Sequence, residues 1–435
     1  MKKVIFVGLN EFNIDLLKDI SEIIPNKYLR KLNNLVHKKL LVKDEYNSGF
    51  LEPWVQWVGI HTSTSSTRHK IKNLGDVPNL EEKQIWERLS DEKYNSIVWG
   101  AMNATSGNHE SSKNNIFVPD PWVFSENTVP KNLNSFFNLP KYLAKEYTSI
   151  SKIKISLMVF NFVKSSVREI GFLNFFKALK VLAEGLFLFG FKNFVFINFF
   201  DFLSSLIFLK KINKQSFNLS FLFLNSIAHV QHHYWYSKDP SKLREIKFTY
   251  RNLDRILNEF EKNLGIFENK VPFFMLNGLT QENTLNDPDW ILYRIKDLRK
   301  FLNLYDINFT KVETLMTNDA HIFFDDRDEL NKAVKLLNEV SVNGMNIFNV
   351  KPDLNDLKIF INIELTSKVE KSDSMRFMDH HFSFGDYFVS IVKRTGKHLR
   401  ECDLITNASE FDSLSNNSIY NYQIFNKIYP DLFKH

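Results

Sequence analysis

The sequence predicts an α/β fold, with a mostly parallel sheet sandwiched by helices, on two observations. Apolar runs of strand length recur at residues 4–9, 40–43, 96–99, 220–224 and 273–276. Stretches of helical periodicity separate them, and that alternation marks a parallel sheet covered on both faces. A chain of 435 residues is long enough for one such domain with insertions, or for two or three ordinary domains. With 44% hydrophobic and 24% charged residues, the composition is that of a globular protein and excludes long disorder.

The elements follow in order. Met1-Lys2-Lys3 and the apolar run after it resemble a signal peptide only superficially, because the run is short and breaks at Asn10-Glu11 without a small-residue cleavage site. It is expected to be the first buried strand, within a core segment spanning 1–105. From 106 to 215 the pattern changes to a polar loop at 108–115, a rigid turn at Val118-Pro119-Asp120-Pro121-Trp122 and then long helices, which predicts a mainly helical cap insertion. The helix near 173–187 is apolar nearly all round and is expected to be buried. Between 172 and 209, Lys177, Lys180, Glu184, Lys192 and Asp201 interrupt every span before it reaches the roughly 18 apolar residues of a membrane helix. That leaves peripheral membrane contact through 172–209 open. The core resumes over 216–287. A strand at 320–324, an amphipathic helix at 327–340 and strands at 346–350 and 358–363 predict a small α+β insertion spanning 288–376. The last core segment and tail span 377–435, resuming at Met378 with a strand at 387–393.

Composition narrows the function. A net charge of +6 with both signs interspersed gives no basis for nucleic-acid binding. The single cysteine, Cys402, excludes an internal disulfide and any cysteine-based zinc site, and fits a cytoplasmic location. The 42 phenylalanines, with abundant lysine and asparagine, fit an AT-rich bacterial genome rather than a ligand.

Several polar groups stand where the strands of such a sheet end, which is where sites form. Glu11 follows the first strand, and Glu52 precedes Pro53 at a helix start; paired carboxylates can do acid/base work. His229, His232 and His233, at i, i+3 and i+4, share a helical face. Asp379-His380-His381 is a second histidine cluster, and the Thr/Ser run 62–67 before Arg68-His69 presents either hydroxyls for an anion or a capped loop. Gln281 and Glu282 follow the fifth apolar run.

In order and setting, five segments resemble the alkaline phosphatase superfamily, in its nucleotide pyrophosphatase and type I phosphodiesterase branch. They are Val4-Ile5-Phe6-Val7-Gly8-Leu9-Asn10-Glu11-Phe12, residues 62–71, Asn225-Ser226-Ile227-Ala228-His229, Leu276-Asn277-Gly278 and His381-Phe382-Ser383-Phe384-Gly385. The resemblance implies an alkaline-phosphatase-like fold and a two-metal site, in which carboxylates offset the ions' charge. Its metal-ligand pattern falls on Asn10, on Asn225 with His229, on Asn277 with Gly278, and on His381. Most carboxylates of that pattern are therefore asparagine here, and at most one ion, zinc or manganese, is expected, on His229 and His381. Trp57, Thr62, His69 and Ile71 fit the frame of the nucleophile helix, whose nucleophile position is Pro53, so the covalent route is closed.

The resulting expectation is a phosphohydrolase or phosphotransferase acting on a phosphorylated small molecule or activated sugar, in surface glycan assembly as the resemblance implies. His229, His381, Glu11 and Glu52 are the expected catalytic groups. Asn10, Thr62, His69, Asn225, His233, Asn277 and Gln281 are the expected substrate contacts. The alternative is an inactive pseudoenzyme that binds or scaffolds.

Overall fold

The computed structural model describes residues 3–42, 51–107, 114–146, 152–315, 318–377, 380–412 and 419–430. Seven strands form the central sheet in the order Val36–Leu41, Glu401–Thr406, Phe273–Leu276, Val4–Leu9, Leu219–Leu224, Ser96–Ala101, Ile116–Pro119. All pairings are parallel except those of Glu401–Thr406, which runs antiparallel to both neighbours. The sheet is thus mostly parallel, as the apolar runs predict.

Val4–Leu9 shows why these residues form a central strand. All six are buried, and they alternate between faces: Ile5, Val7 and Leu9 join one apolar cluster, while Val4 and Phe6 join another. The first cluster takes in Ile14–Ile23, Asn193–Lys214, Ser226–Tyr234 and Arg244–Leu264. The second takes in Pro53–Thr62, Ile85–Asp91 and Ile424–Ile428. Gly8 is required at its position, because a Cβ there would lie 2.9 Å from the Trp57 ring.

The described residues fall into two compact units. The first comprises Met1–Lys141, Ser151–Leu285 and Gly396–His435; the second comprises Tyr142–Ile150 and Asn286–Thr395. Helices of the expected cap insertion belong to the first unit, where Asn193–Lys214 buries Phe194, Leu203, Ile207 and Phe208 in the same apolar cluster as the sheet. The helix expected to be buried all round, Phe172–Phe189, buries only Phe175, Ala178, Val181 and Gly185.

The second unit holds an antiparallel sheet in the order Phe348–Asp353, Lys358–Ile363, Asp319–Phe323, Lys311–Thr314, with the amphipathic helix Arg327–Asn338. It extends beyond residue 376. Phe388–Arg394 pairs antiparallel with Trp290–Ile295, and Phe388 packs on Phe301 and Phe348 in this unit's own core. The chain therefore rejoins the central sheet's unit at Gly396 rather than near residue 377. Lys43, residues 108–113, Met378 and Asp379 lie outside the described residues.

The rigid turn after Ile116–Pro119 holds a buried acid. Asp120 accepts a hydrogen bond from the Trp122 amide at 3.0 Å through one carboxyl oxygen, while the other has no partner. Burial pushes its pKa up to about 7. A carboxyl that is easier to protonate when folded stabilises the fold below its unfolded pKa, and this contribution is lost as pH rises from about 4 to about 7. Asp120→Asn should lack that decline, so the wild-type and variant stability curves should diverge by on the order of a few kcal/mol across this range. Parallel curves from denaturant titrations across this range would show that Asp120 does not titrate as the fold implies.

Candidate functional site

The strand Val4–Leu9 ends in Asn10 and Glu11, and Glu11 takes a left-handed backbone conformation with φ 56°. That conformation is unfavourable for a residue with a Cβ and persists only where its surroundings hold it. Here the Glu11 amide donates to Asn277 O at 2.9 Å, and Gln231 Nε2 donates to Glu11 O at 2.7 Å. The side chain is thereby turned into the first unit with almost no solvent exposure.

Two histidines from distant parts of the chain meet this carboxylate. Glu11 Oε2 lies 2.8 Å from His232 Nε2 and 3.0 Å from His398 Nε2, and the two Nε2 atoms are 3.3 Å apart. His232 comes from the helix Ser226–Tyr234 and His398 from the short strand Gly396–Leu399, which pairs antiparallel with Thr280–Asn283. Gln281 Nε2 also donates to Glu11 Oε2, and Asn10 Nδ2 donates to Glu11 Oε1 at 2.8 Å. Burial pushes the Glu11 carboxyl up, but the charges of and hydrogen bonds to His398 and His232 outweigh it and hold the group well below the usual carboxylate range.

The other imidazole nitrogens fix the tautomers. His232 Nδ1 lies 3.2 Å from Gly396 O, and His398 Nδ1 lies 2.5 Å from Leu51 O. A carbonyl oxygen only accepts, so each Nδ1 donates its proton there and each ring turns its Nε2 inward towards Glu11. Two Nε2 atoms and a carboxylate oxygen then meet at a point that takes a cation, either a proton shared between histidine and Glu11 or a metal ion. Among the described residues, Glu11, His232 and His398 form the one group with metal-ligand spacing.

The asparagines hold this arrangement in place. Asn10 is buried, accepts from Trp57 Nε1 at 2.8 Å and donates to Asn225 Oδ1 at 2.9 Å. Asn277 is buried, donates to Phe12 O at 2.8 Å and accepts from the Asp403 amide at 2.8 Å. Asp201 accepts from the amides of Asn225 (3.1 Å) and Ser226 (2.8 Å) at the start of the histidine helix.

No family model and no curated protein matches the chain. Similar solved structures include phosphonoacetate hydrolase from Sinorhizobium meliloti 1021 in complex with phosphonoformate, at 12% identity over 99% of this chain and 96% of that chain, TM-score 0.48. Murine ectonucleotide pyrophosphatase/phosphodiesterase 5 has 12% identity over 99% and 95%, TM-score 0.40. A TAB5 alkaline phosphatase mutant has 9% identity over 98% and 96%, TM-score 0.41. All three are proteins of the alkaline phosphatase superfamily.

Of the site residues expected from the sequence, Asn10, Glu11, Asn225, Asn277 and Gln281 converge in the first unit, with Glu52 adjacent in sequence to Leu51, the partner of His398. Their parts differ from those expected. The amides of Asn10, Asn277 and Gln281 are bonded within the protein and orient Glu11 and its loop, so they position rather than present themselves to substrate. Glu52 sits at the helix start, where its carbonyl accepts from Val55 N at 3.1 Å.

The expected histidines fall in different places. His381 lies exposed on the strand His380–Ser383 of the second unit, with Nδ1 2.9 Å from Ser374 Oγ. The late histidine beside Glu11 is His398. His229 stands one turn before His232 and contacts the ring of His233 (centroids 4.5 Å apart) instead of Glu11; burial, with a smaller contribution from His232, pushes its pKa down to about 3. The helix turns Ala228, Gln231 and His232 towards Glu11 and Gln281. Thr62 and His69 are buried and bonded locally: Thr62 Oγ1 bonds Val58 O and Thr64 Oγ1, both at 2.8 Å, and His69 Nδ1 accepts from Ile71 N at 3.1 Å. Gly278, with φ 75°, could not become histidine, because a Cβ would lie 2.8 Å from Trp57.

Sequence reasoning missed His398 because it stands alone in Gly396-Lys397-His398. The glycine was the available signal. A Cβ on Gly396 would lie 2.3 Å from Gln281 Oε1 and 2.6 Å from Gln231 O, so the strand carrying His398 approaches only because that position is bare. Gly396→Ala should therefore cost about 1–3 kcal/mol and lower the thermal midpoint. An unchanged midpoint would mean that the strand yields freely.

Proposed function

We propose that this chain is a phosphoester-processing enzyme, a hydrolase or transferase acting on a phosphorylated or phosphodiester-linked small molecule, with one divalent ion held by Glu11, His232 and His398. The observation that carries this reading is the convergence of two inward Nε2 atoms and one carboxylate oxygen within 3.3 Å, each imidazole oriented from behind by a backbone carbonyl. Such outer contacts are what orient metal-ligating histidines. Two imidazoles and one carboxylate suit zinc, and manganese next. Three protein ligands leave a position for water or substrate, as catalytic rather than structural sites do.

An ion bound there supplies an acidified water and a polarised phosphoryl oxygen. The chain's own residues do the positioning. Gln281 and Asn10 hold the Glu11 carboxylate by donating to its two oxygens. His229 stays neutral at physiological pH and offers a hydrogen-bonding group beside the cluster. Pro53 stands where the family resemblance puts the nucleophile, so attack falls to water or an acceptor hydroxyl, without a phospho-enzyme at that position. An activated sugar in surface glycan assembly is the substrate class the same resemblance suggests. The neutral amides of Asn10, Asn225 and Asn277 speak against a second ion, and this favours the rival reading of a binding protein without turnover.

Metal content measured by plasma mass spectrometry on protein purified without chelator should give about one equivalent of zinc or manganese per chain. His232→Ala and His398→Ala should lose it, and His381→Ala should keep it. Metal-free wild type, or metal retained in both of the first two variants, would overturn the proposal. Hydrolysis of an activated phosphodiester should fall about a hundredfold or more in His398→Ala, whereas a metal-loaded wild type inert towards phosphodiesters and phosphomonoesters would favour the binding protein.

A further inference from the structure

The first unit exposes apolar side chains in one stretch of sequence. Of the 20 large exposed hydrophobic residues among those described, 12 fall between Ile153 and Phe196. Soluble surfaces scatter such residues singly, and a concentration of them marks an interaction face. On the helix Lys152–Ile170, Ile153, Leu157 and Phe160 follow i, i+4, i+7 spacing and so line one side. On the helix Phe172–Phe189, Leu173 and Phe187 are 82% and 89% exposed, and Phe191, just past its end, is 86% exposed. Leu173 and Phe187 are 14 residues apart, so about 21 Å of helix separates two apolar ends.

Charge identifies what would cover this face. Residues 152–192 contain seven Lys/Arg (Lys152, Lys154, Lys164, Arg168, Lys177, Lys180, Lys192) and two acids (Glu169, Glu184), a net +5, against +6 for all 435 residues. Both acids are engaged by basic partners, Glu169 by Lys211 at 2.6 Å and Glu184 by Arg255 at 2.5 Å. Lys164, Lys180 and Lys192 are exposed among the apolar side chains. No helix among the described residues is long and apolar enough to cross a membrane. Exposed aromatic and aliphatic tips interleaved with lysines, on helices too polar to span, are the chemistry of a segment lying in the plane of an anionic bilayer.

We propose that the first unit docks on an anionic lipid surface through the outward faces of Lys152–Ile170 and Phe172–Phe189 and the turn containing Phe191. Phenylalanine and leucine side chains enter the headgroup boundary, and the lysines sit at the lipid phosphates. This proposal does not depend on the metal site.

The test is flotation of the full chain with vesicles of phosphatidylcholine alone and of phosphatidylcholine with phosphatidylglycerol, at low and high salt. The wild type should float with the anionic vesicles and less so at high salt. Leu173→Glu/Phe187→Glu/Phe191→Glu should weaken binding at least about tenfold at either salt. Lys164→Glu/Lys180→Glu/Lys192→Glu should abolish the preference for phosphatidylglycerol. Unchanged thermal midpoints confirm folding, and the lysine variant keeps the test decisive if the apolar variant fails to fold. Absence of wild-type flotation at low salt, or wild-type flotation in both variants, would overturn the proposal. So would a wild-type dimer in sedimentation that dissociates in the apolar variant, because the face would then be a self-interface.

Discussion

The site depends on one constraint, which is that a carboxylate is buried at the end of the central strand. Burying an ionised carboxyl is costly unless it is paired and hydrogen-bonded. The surroundings of Glu11 supply both: amide donors from Asn10 and Gln281, and imidazoles from His232 and His398. Its own backbone is held in a left-handed conformation by Asn277 and Gln231. These partners come from four separate stretches of sequence. The first unit must close around Glu11 before any of them can act.

The asparagines that stand where the resemblance expects metal-binding carboxylates follow the same logic. A carboxylate only accepts hydrogen bonds, and several at one point need cations. An amide both donates and accepts, so it can join strand ends with no ion present. Asn10 links Trp57, Glu11 and Asn225, and Asn277 links Phe12 to Asp403. Negative charge is thereby concentrated on Glu11, the residue directly after the first of these asparagines. Asn10 and Asn277 are joined to their neighbours as neutral amides, and the carboxylate that meets the two histidines belongs to Glu11, one residue past Asn10.

Much of the fold was legible because parallel strands buried on both faces read as uninterrupted apolar runs, and Val4–Leu9, Leu219–Leu224 and Phe273–Leu276 are such runs. Glu11 was legible because it closes the first of them. His398 was not, since Gly396–Leu399 is a short, mostly half-buried strand with no apolar signature, about 390 residues from Glu11 in sequence. That His232 and not His229 contacts Glu11 was not legible either, because histidines at i and i+3 of one helix differ by a rotation that only the packed helix determines. The helix Phe172–Phe189 misled in the opposite direction. Its high apolar content implied burial, but composition does not say whether the cover is protein or something else.

The two faces of the first unit pose related problems in charge placement. At the strand ends, two imidazole nitrogens and a carboxylate oxygen are fixed within hydrogen-bond range, and replacing such a cluster by apolar residues of similar volume would often be neutral or stabilising. Around residues 152–196, large apolar side chains are held in contact with water, where they add nothing to the stability of the isolated chain. Selection for folding alone would remove both features. Both features are ones that stability alone does not favour, and both are accounted for if the proposed cation binds in one place and the proposed lipid surface in the other.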